Sequence, residues 1–140
     1  MCIRDREGDI TQMAPETRLC AASGTTSLEA IEEAGVEAVA VPGWTDCLVL
    51  FQQGEVDGIS TDDTILAGLA AQDPFAVVTG ELFSEEPYGI GNSKDFPEFT
   101  QFINAVLEQA RQDGTWQELY DRWLADTLGE QSAPEASFRN

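Results

Sequence analysis

The chain has 140 residues, 42% hydrophobic and 24% charged, with 3 Trp, 7 Phe and 2 Tyr, a composition that suits a folded domain and argues against disorder throughout. Lys+Arg 7 against Asp+Glu 26 leaves a formal charge of −19, with no His. The acidic balance excludes a basic nucleic-acid footprint and a polybasic lipid-binding surface. The absence of His removes Ser-His-Asp and Cys-His chemistry and every His-ligated metal site, and no apolar run approaches the ~20 residues of a membrane helix.

The opening Met1-Cys2-Ile3-Arg4-Asp5-Arg6 is charged but is followed by no apolar h-region, so it is not a signal peptide. It reads as a foreign or truncated start, with an ordinary frayed terminus as the alternative. Arg18–Ala22 is a short, mostly apolar run stopped by Ser23-Gly24, the pattern of a buried strand. Thr26–Ala34 places Leu28, Ile31 and Ala34 at helical spacing and ends at Gly35. Val36–Val41 is a second strand, closed by Pro42-Gly43. Thr45–Gln53 is the next expected helix, with Thr45 or Trp44 near its N-cap and Gly54 after its last turn. Val56–Ser60 is a third strand, followed by a helix over Asp63–Ala71 and weaker strands at Ala76–Thr79 and Tyr88–Ile90. Strands alternating with helices predict right-handed βαβ crossovers and a parallel sheet, an α/β class.

The pattern changes after Asn92. Phe96–Gln112 predicts a long helix with Phe99, Phe102, Ile103, Val106, Leu107 and Ala110 on one face. Gly114 breaks it, and Thr115 is expected to cap a second helix carrying Trp116, Leu119, Tyr120, Trp123 and Leu124. These aromatic and apolar residues are assigned to core packing, against a partner surface that the few strands here scarcely supply. Residues 129–140 lack periodicity and read as a disordered tail.

Two segments carry recognition chemistry. Ser23-Gly24-Thr25-Thr26-Ser27 lies where a strand gives way to a helix. Glycine lets a ligand approach the backbone closely, and the first-turn amides lack intrahelical partners. With the Thr hydroxyls they suit one carboxylate, while plain N-capping explains the same residues without a ligand. Ser60-Thr61-Asp62-Asp63-Thr64 follows the third strand, on the rim where ligands of parallel α/β sheets collect. There Asp62 is suited to an ammonium group, and Asp63 to capping the next helix; simple capping accounts for both acids as well. An anion cradle and an acid on one rim suit a zwitterion such as an amino acid. Two adjacent Asp without further ligands do not build a Ca²⁺ or Mg²⁺ shell, so no metal, cofactor or catalytic residue is expected. Cys20 on the first strand and Cys47 in the following helix either form a disulfide, worth roughly 3 kcal/mol and implying an oxidising compartment, or remain two buried thiols.

Taken in order, these blocks resemble a known family. They are Ser23-Gly24-Thr25-Thr26, Pro42-Gly43-Trp44-Thr45-Asp46-Cys47-Leu48, Gly54-Glu55-Val56-Asp57-Gly58, Ser60-Thr61-Asp62-Asp63, Pro87-Tyr88-Gly89-Ile90 and Gly114-Thr115-Trp116-Gln117-Glu118-Leu119-Tyr120-Asp121-Arg122-Trp123. From Glu7 to Leu128 the chain resembles the C-terminal portion of family 3 extracellular solute-binding proteins, the polar amino-acid receptors of ABC importers, and most of all their actinobacterial glutamate-binding branch. The resemblance implies a type II periplasmic-binding-protein-like fold. In it, residues 1–16 are a non-native or truncated leader and incoming segment, and 17–83 the second α/β ligand-binding lobe. Residues 84–128 are the return crossing, from Phe83 to Tyr88, and C-terminal helices of a mostly missing first lobe. By the same resemblance Thr26 binds the ligand α-carboxylate through its amide and hydroxyl, Gly24 and Thr25 shape that turn, Asp62 holds the α-ammonium, and Thr61 partly reads the ligand side chain. Ala22 stands where some relatives place a basic residue, and the family's carboxylate-clamping Arg has no counterpart in this sequence. The implied partners are a free amino acid (glutamate, glutamine or aspartate) and ABC permease subunits, with a monomeric, extracytoplasmic receptor and a Cys20–Cys47 disulfide. An enzyme on the same fold, a dehydratase or lytic-enzyme-associated domain, or the sensor domain of a receptor kinase, is the alternative.

Overall fold

A computed structural model describes residues 2–4, 16–79 and 88–136. The chain divides into two units, Met1–Glu85 and Glu86–Asn140.

The first unit contains β1 (Cys2–Arg4), β2 (Arg18–Ala22), α1 (Thr26–Glu33), β3 (Glu37–Val41), α2 (Trp44–Gln52), β4 (Gly58–Ser60), α3 (Asp63–Ala70) and β5 (Val77–Thr79). Its sheet has the order β3-β2-β4-β1-β5. β2 pairs in parallel with β3 and with β4, as the alternation of strands and helices predicts. The wholly parallel sheet needs correcting at β1, which runs antiparallel to both β4 and β5. Residues 2–4 of the expected leader therefore supply the backbone of an interior strand. Residues 5–15 and 80–87, which hold the rest of the incoming segment and most of the return crossing, lie outside the described residues.

Alternation along β2 divides the core between the two faces of the sheet. Leu19 and Ala21 pack with Ile31 of α1 on one side. Cys20 packs on the other with Cys47 and Leu48 of α2, Val56, Ile59 of β4, and Leu66 and Leu69 of α3. Leu19, Ile31, Ile59 and Leu66 are fully buried, each worth about 1.5–3 kcal/mol of transfer free energy. Cys20 and Cys47 are joined in a disulfide across 5.5 Å between Cα atoms, 27 residues apart in sequence. This tie fixes β2 to the first turn of α2.

Helix α1 ends one residue earlier than the sequence pattern predicts. Ala34 is the C-cap, and Gly35 at φ +72° lets its own N–H reach the Glu32 carbonyl and the Val36 N–H reach that of Ile31. The same pair of bonds closes α2, from Gly54 to Phe51 and from Glu55 to Leu50. At its start, α2 takes Gly43 as N-cap instead of Thr45 or Trp44, without a side-chain capping bond.

The second unit holds α4 (Pro97–Gln112), α5 (Thr115–Trp123) and α6 (Ala125–Leu128). Pro97 opens α4, where its missing N–H costs nothing. The expected strand at Tyr88–Ile90 is not formed; Gly89 and Gly91 bracket Ile90 and leave too short a run to sustain a ladder. Gly114, not Thr115, occupies the N-cap position of α5, and the Asp113 carboxylate accepts the Thr115 N–H at 3.0 Å. The core role expected for the α4 face is not met within this unit: Phe99, Phe102, Val106 and Leu107 are 53%, 62%, 46% and 42% exposed. α5 buries Tyr120, whose ring stacks on Trp116 at 5.1 Å and whose hydroxyl donates to the Gly129 carbonyl at 3.0 Å. Residues 129–136 carry no helix or strand, and Gln117 Nε2 donates to the Gln131 carbonyl at 2.8 Å.

Candidate functional site

The direction of the crossovers locates the site. β2 connects through α1 to β3 on one side of it, whereas β4 connects through α3 to β5 on the other side. The loops leaving β2 and β4 therefore diverge from neighbouring strands, the switch point at which parallel sheets open a crevice. Cys20 is level with Ile59, so the register continued two residues sets Ala22 opposite Thr61. The two segments singled out from sequence, 23–27 and 60–64, are the two loops at this point. Their strands stand about 4.8 Å apart.

The first loop is held at both sides of Gly24. Before it, the Ser23 N–H and hydroxyl both donate to the Val41 carbonyl of β3, at 2.8 and 3.1 Å. After it, the Thr25 hydroxyl donates to the Ala22 carbonyl at 2.7 Å and accepts the Leu28 N–H at 3.3 Å. Gly24 itself has φ +74°, a conformation that disfavours any side chain. Thr25 is thus the N-cap of α1, as the capping alternative requires, and its hydroxyl is engaged in shaping the turn. Thr26 opens the helix and is exposed. The first-turn amides beyond the cap point out of the helix end with its positive dipole, the arrangement that receives a carboxylate.

In the second loop, Asp62 occupies the N-cap position of α3 but makes no side-chain capping bond. The contact instead belongs to Asp63, whose Oδ1 accepts the Thr64 N–H at 2.7 Å. Asp62 is half-buried at the start of α3. Thr61 is different: it is 3% exposed, and its Oγ1 is buried without a hydrogen-bond partner. The Thr61 hydroxyl lies beneath the rim, whereas Gly24, Thr26 and Asp62 lie on it. Cys20 and Cys47 lie behind the site, fully buried, and bear on it only by fixing β2.

Residues 16–79 contain 11 Asp+Glu and a single basic residue, Arg18. Arg18 begins β2, at the end of the sheet away from the rim, and its guanidinium donates to the Gly54 carbonyl at 3.3 Å. No side-chain cation of residues 16–79 stands at the rim. Among the described residues no group of three or more Cys, Asp or Glu is placed to hold a metal ion. Sequence reasoning included Ser23 in the first segment but gave it no role of its own, since its hydroxyl bonds to Val41 on a strand distant in sequence. Trp44, half-buried at the start of α2, packs against both core clusters.

No family model matches the chain. Over 122 residues it is 40% identical to the glutamate-binding protein GluB of Corynebacterium glutamicum, an alignment covering 81% of this chain and 40% of that protein. The chain is a homologue of the family 3 solute-binding proteins. The chain is also 28% identical over 123 residues to the ABC transporter glutamine-binding protein GlnH of Bacillus subtilis, covering 86% of this chain and 45% of that one. It spans less than half the length of either relative. A solved structure of an ancestral arginine-binding protein bound to glutamine superposes with a TM-score of 0.71 and 26% identity, over 92% of this chain and 58% of that one. The fold is accordingly that of the type II periplasmic amino-acid-binding proteins, as the sequence resemblance implies, and the homologues are binding proteins rather than enzymes.

Proposed function

We propose that this chain is part of the substrate-binding component of an ABC importer for a polar or acidic amino acid, glutamate or glutamine in the first place. The observation that carries the reading is the meeting, at one switch point, of a helix-end cradle at residues 24–27 and the Asp62 carboxylate. A cradle of N–H groups and an acid on adjacent strands match the two ends of an α-amino acid. Thr26 and its neighbouring amides take the α-carboxylate, Gly24 and Thr25 give the turn its shape, and Asp62 takes the α-ammonium. The glutamate- and glutamine-binding relatives supply the ligand class.

In this reading residues 17–83 are the second lobe, and 84–128 lead back to helices of the first. The exposed stripe on α4 is then surface meant for that lobe. The receptor works outside the cytoplasm as a monomer, closes around its ligand and docks on a permease, making and breaking no bond. Binding by this chain alone engages one jaw and is much weaker than that of a two-lobed receptor.

The test is a titration of the ¹⁵N-labelled chain with L-glutamate, L-glutamine, L-aspartate and L-arginine, read from amide chemical shifts. Saturable shifts at residues 24–27 and 62 are expected, largest for glutamate or glutamine, and weakened at least tenfold, on the order of a lost charged hydrogen bond, in Asp62→Asn. Shifts confined to other residues, or an Asp62→Asn variant that titrates like the native chain, would overturn the reading. Micromolar binding in a calorimeter would contradict the one-jaw account.

A further inference from the structure

The cradle depends on a group that does not face the ligand. Gly24 is a hinge: at φ +74°, with nothing within 4 Å of where a Cβ would stand, neither packing nor a side chain restrains it. What fixes the amides that follow is the pair of anchors on either side. The anchor after the hinge is local, since Thr25 bonds to Ala22 and Leu28 of its own loop. The anchor before it reaches across to another strand. The Ser23 N–H to the Val41 carbonyl, 2.8 Å, is the last rung of the β2–β3 ladder, whose register ends at Ala22 and Val41. The Ser23 hydroxyl adds a second donor to the same carbonyl at 3.1 Å. Pro42-Gly43 then leads into α2, and the register goes no further. The hydroxyl therefore reinforces the sheet at the point where the ladder stops.

We propose that Ser23 is a positioning residue of the carboxylate cradle, holding the loop before Gly24 to the end of β3 so that the amides of 26 and 27 are pre-aimed. This rests on the reading of residues 24–27 as the carboxylate site. Without the hydroxyl the ladder rung survives, but the hinge is restrained firmly on one side only. Part of the binding free energy then goes to ordering the loop.

The experiment uses the full chain and its variants Ser23→Ala and Ser23→Thr, titrated with L-glutamate and followed by amide shifts. Amide hydrogen exchange is measured in the same samples without ligand. In Ser23→Ala the affinity is expected to fall by about three- to tenfold, the range of one neutral hydrogen bond. Exchange of the Ser23 and Leu28 amides, bonded at the two anchors, should rise while the amides of β2 and β4 keep their protection, and Ser23→Thr, which retains the hydroxyl, should restore both. A purely structural role would lower protection throughout the sheet. Affinity within twofold of native in Ser23→Ala, unchanged exchange at the Ser23 and Leu28 amides, or failure of Ser23→Thr to rescue overturns the proposal alone. A native chain whose cradle amides do not respond to glutamate overturns the carboxylate reading and this proposal together.

Discussion

Reducing the Cys20–Cys47 bond should cost the first unit a third or more of its stability. The closed loop is 27 residues in sequence. In the chain-entropy model such a crosslink removes about 12 cal/mol/K from the unfolded ensemble, about 3.5 kcal/mol at 25 °C. Residues 16–79 form a small lobe, for which ordinary stability is roughly 3–10 kcal/mol in all. Both cysteines are fully exposure-free and pack among Leu48, Val56, Ile59 and Leu66, so two separated thiols must also fit where one bonded pair sat. The assay is urea unfolding of the oxidised chain and of the chain kept in a phosphine reductant, followed by fluorescence, with Trp44 reporting on this core. At an m-value of about 1 kcal/mol/M, typical of a small domain, the midpoint should fall by about 3 M. In the unreduced protein an alkylating reagent should label neither Cys20 nor Cys47. A midpoint shift worth less than about 1 kcal/mol would refute the entropic reasoning. Labelling of Cys20 and Cys47 without reductant would show that the bond itself is absent.

Thr61→Val removes a buried hydroxyl that has no hydrogen-bond partner, and should raise stability by about 1 kcal/mol in urea unfolding; a fall in amino-acid affinity in the same variant would support the part of Thr61 in reading the ligand. Gly24→Ala meets no atom but forces a side chain into left-handed backbone, so it should cost about 1–2 kcal/mol in thermal or urea unfolding, with the cradle amides shifted. The Asp113 carboxyl titrates below its ordinary value because the Thr115 hydroxyl and N–H donate to it. Its contribution to the α4–α5 turn is complete above that ordinary value and fades as the pH falls through the lowered one; a carboxyl-carbon NMR titration checks the direction, and a midpoint at or above 3.8 would contradict it.

Local signals made most of the first unit legible. Runs such as Arg18–Ala22 and Val36–Val41, with glycine after each amphipathic stretch, place four strands and three helices to within two residues. The two loops of the site were readable because Gly24 and the Thr run, and then Asp62-Asp63, follow strands directly. What sequence could not show was which strand neighbours which. That depends on pairings far apart in the chain, such as Cys2 with Thr79, and β1 carries no periodic pattern of its own in three residues. It likewise could not show that the hydroxyl of Thr61 turns inward while Asp62 stays at the rim, because adjacent residues at a strand end take opposite sides by register alone. The apolar stripe on α4 was legible as a face to be covered, and helical spacing alone does not say by what.

That stripe has a colloidal consequence. Phe99, Phe102 and Val106 stand in water on a molecule carrying 26 acids and 7 bases. In dilute buffer, where charges act over about 30 Å, copies repel one another long before their aromatic faces can meet; at 1 M salt that reach shrinks to about 3 Å. Salt that screens the acids also strengthens apolar association, so the same addition weakens the barrier and deepens the well. The acidity that says so little about the ligand thus sets the conditions under which this chain remains dispersed.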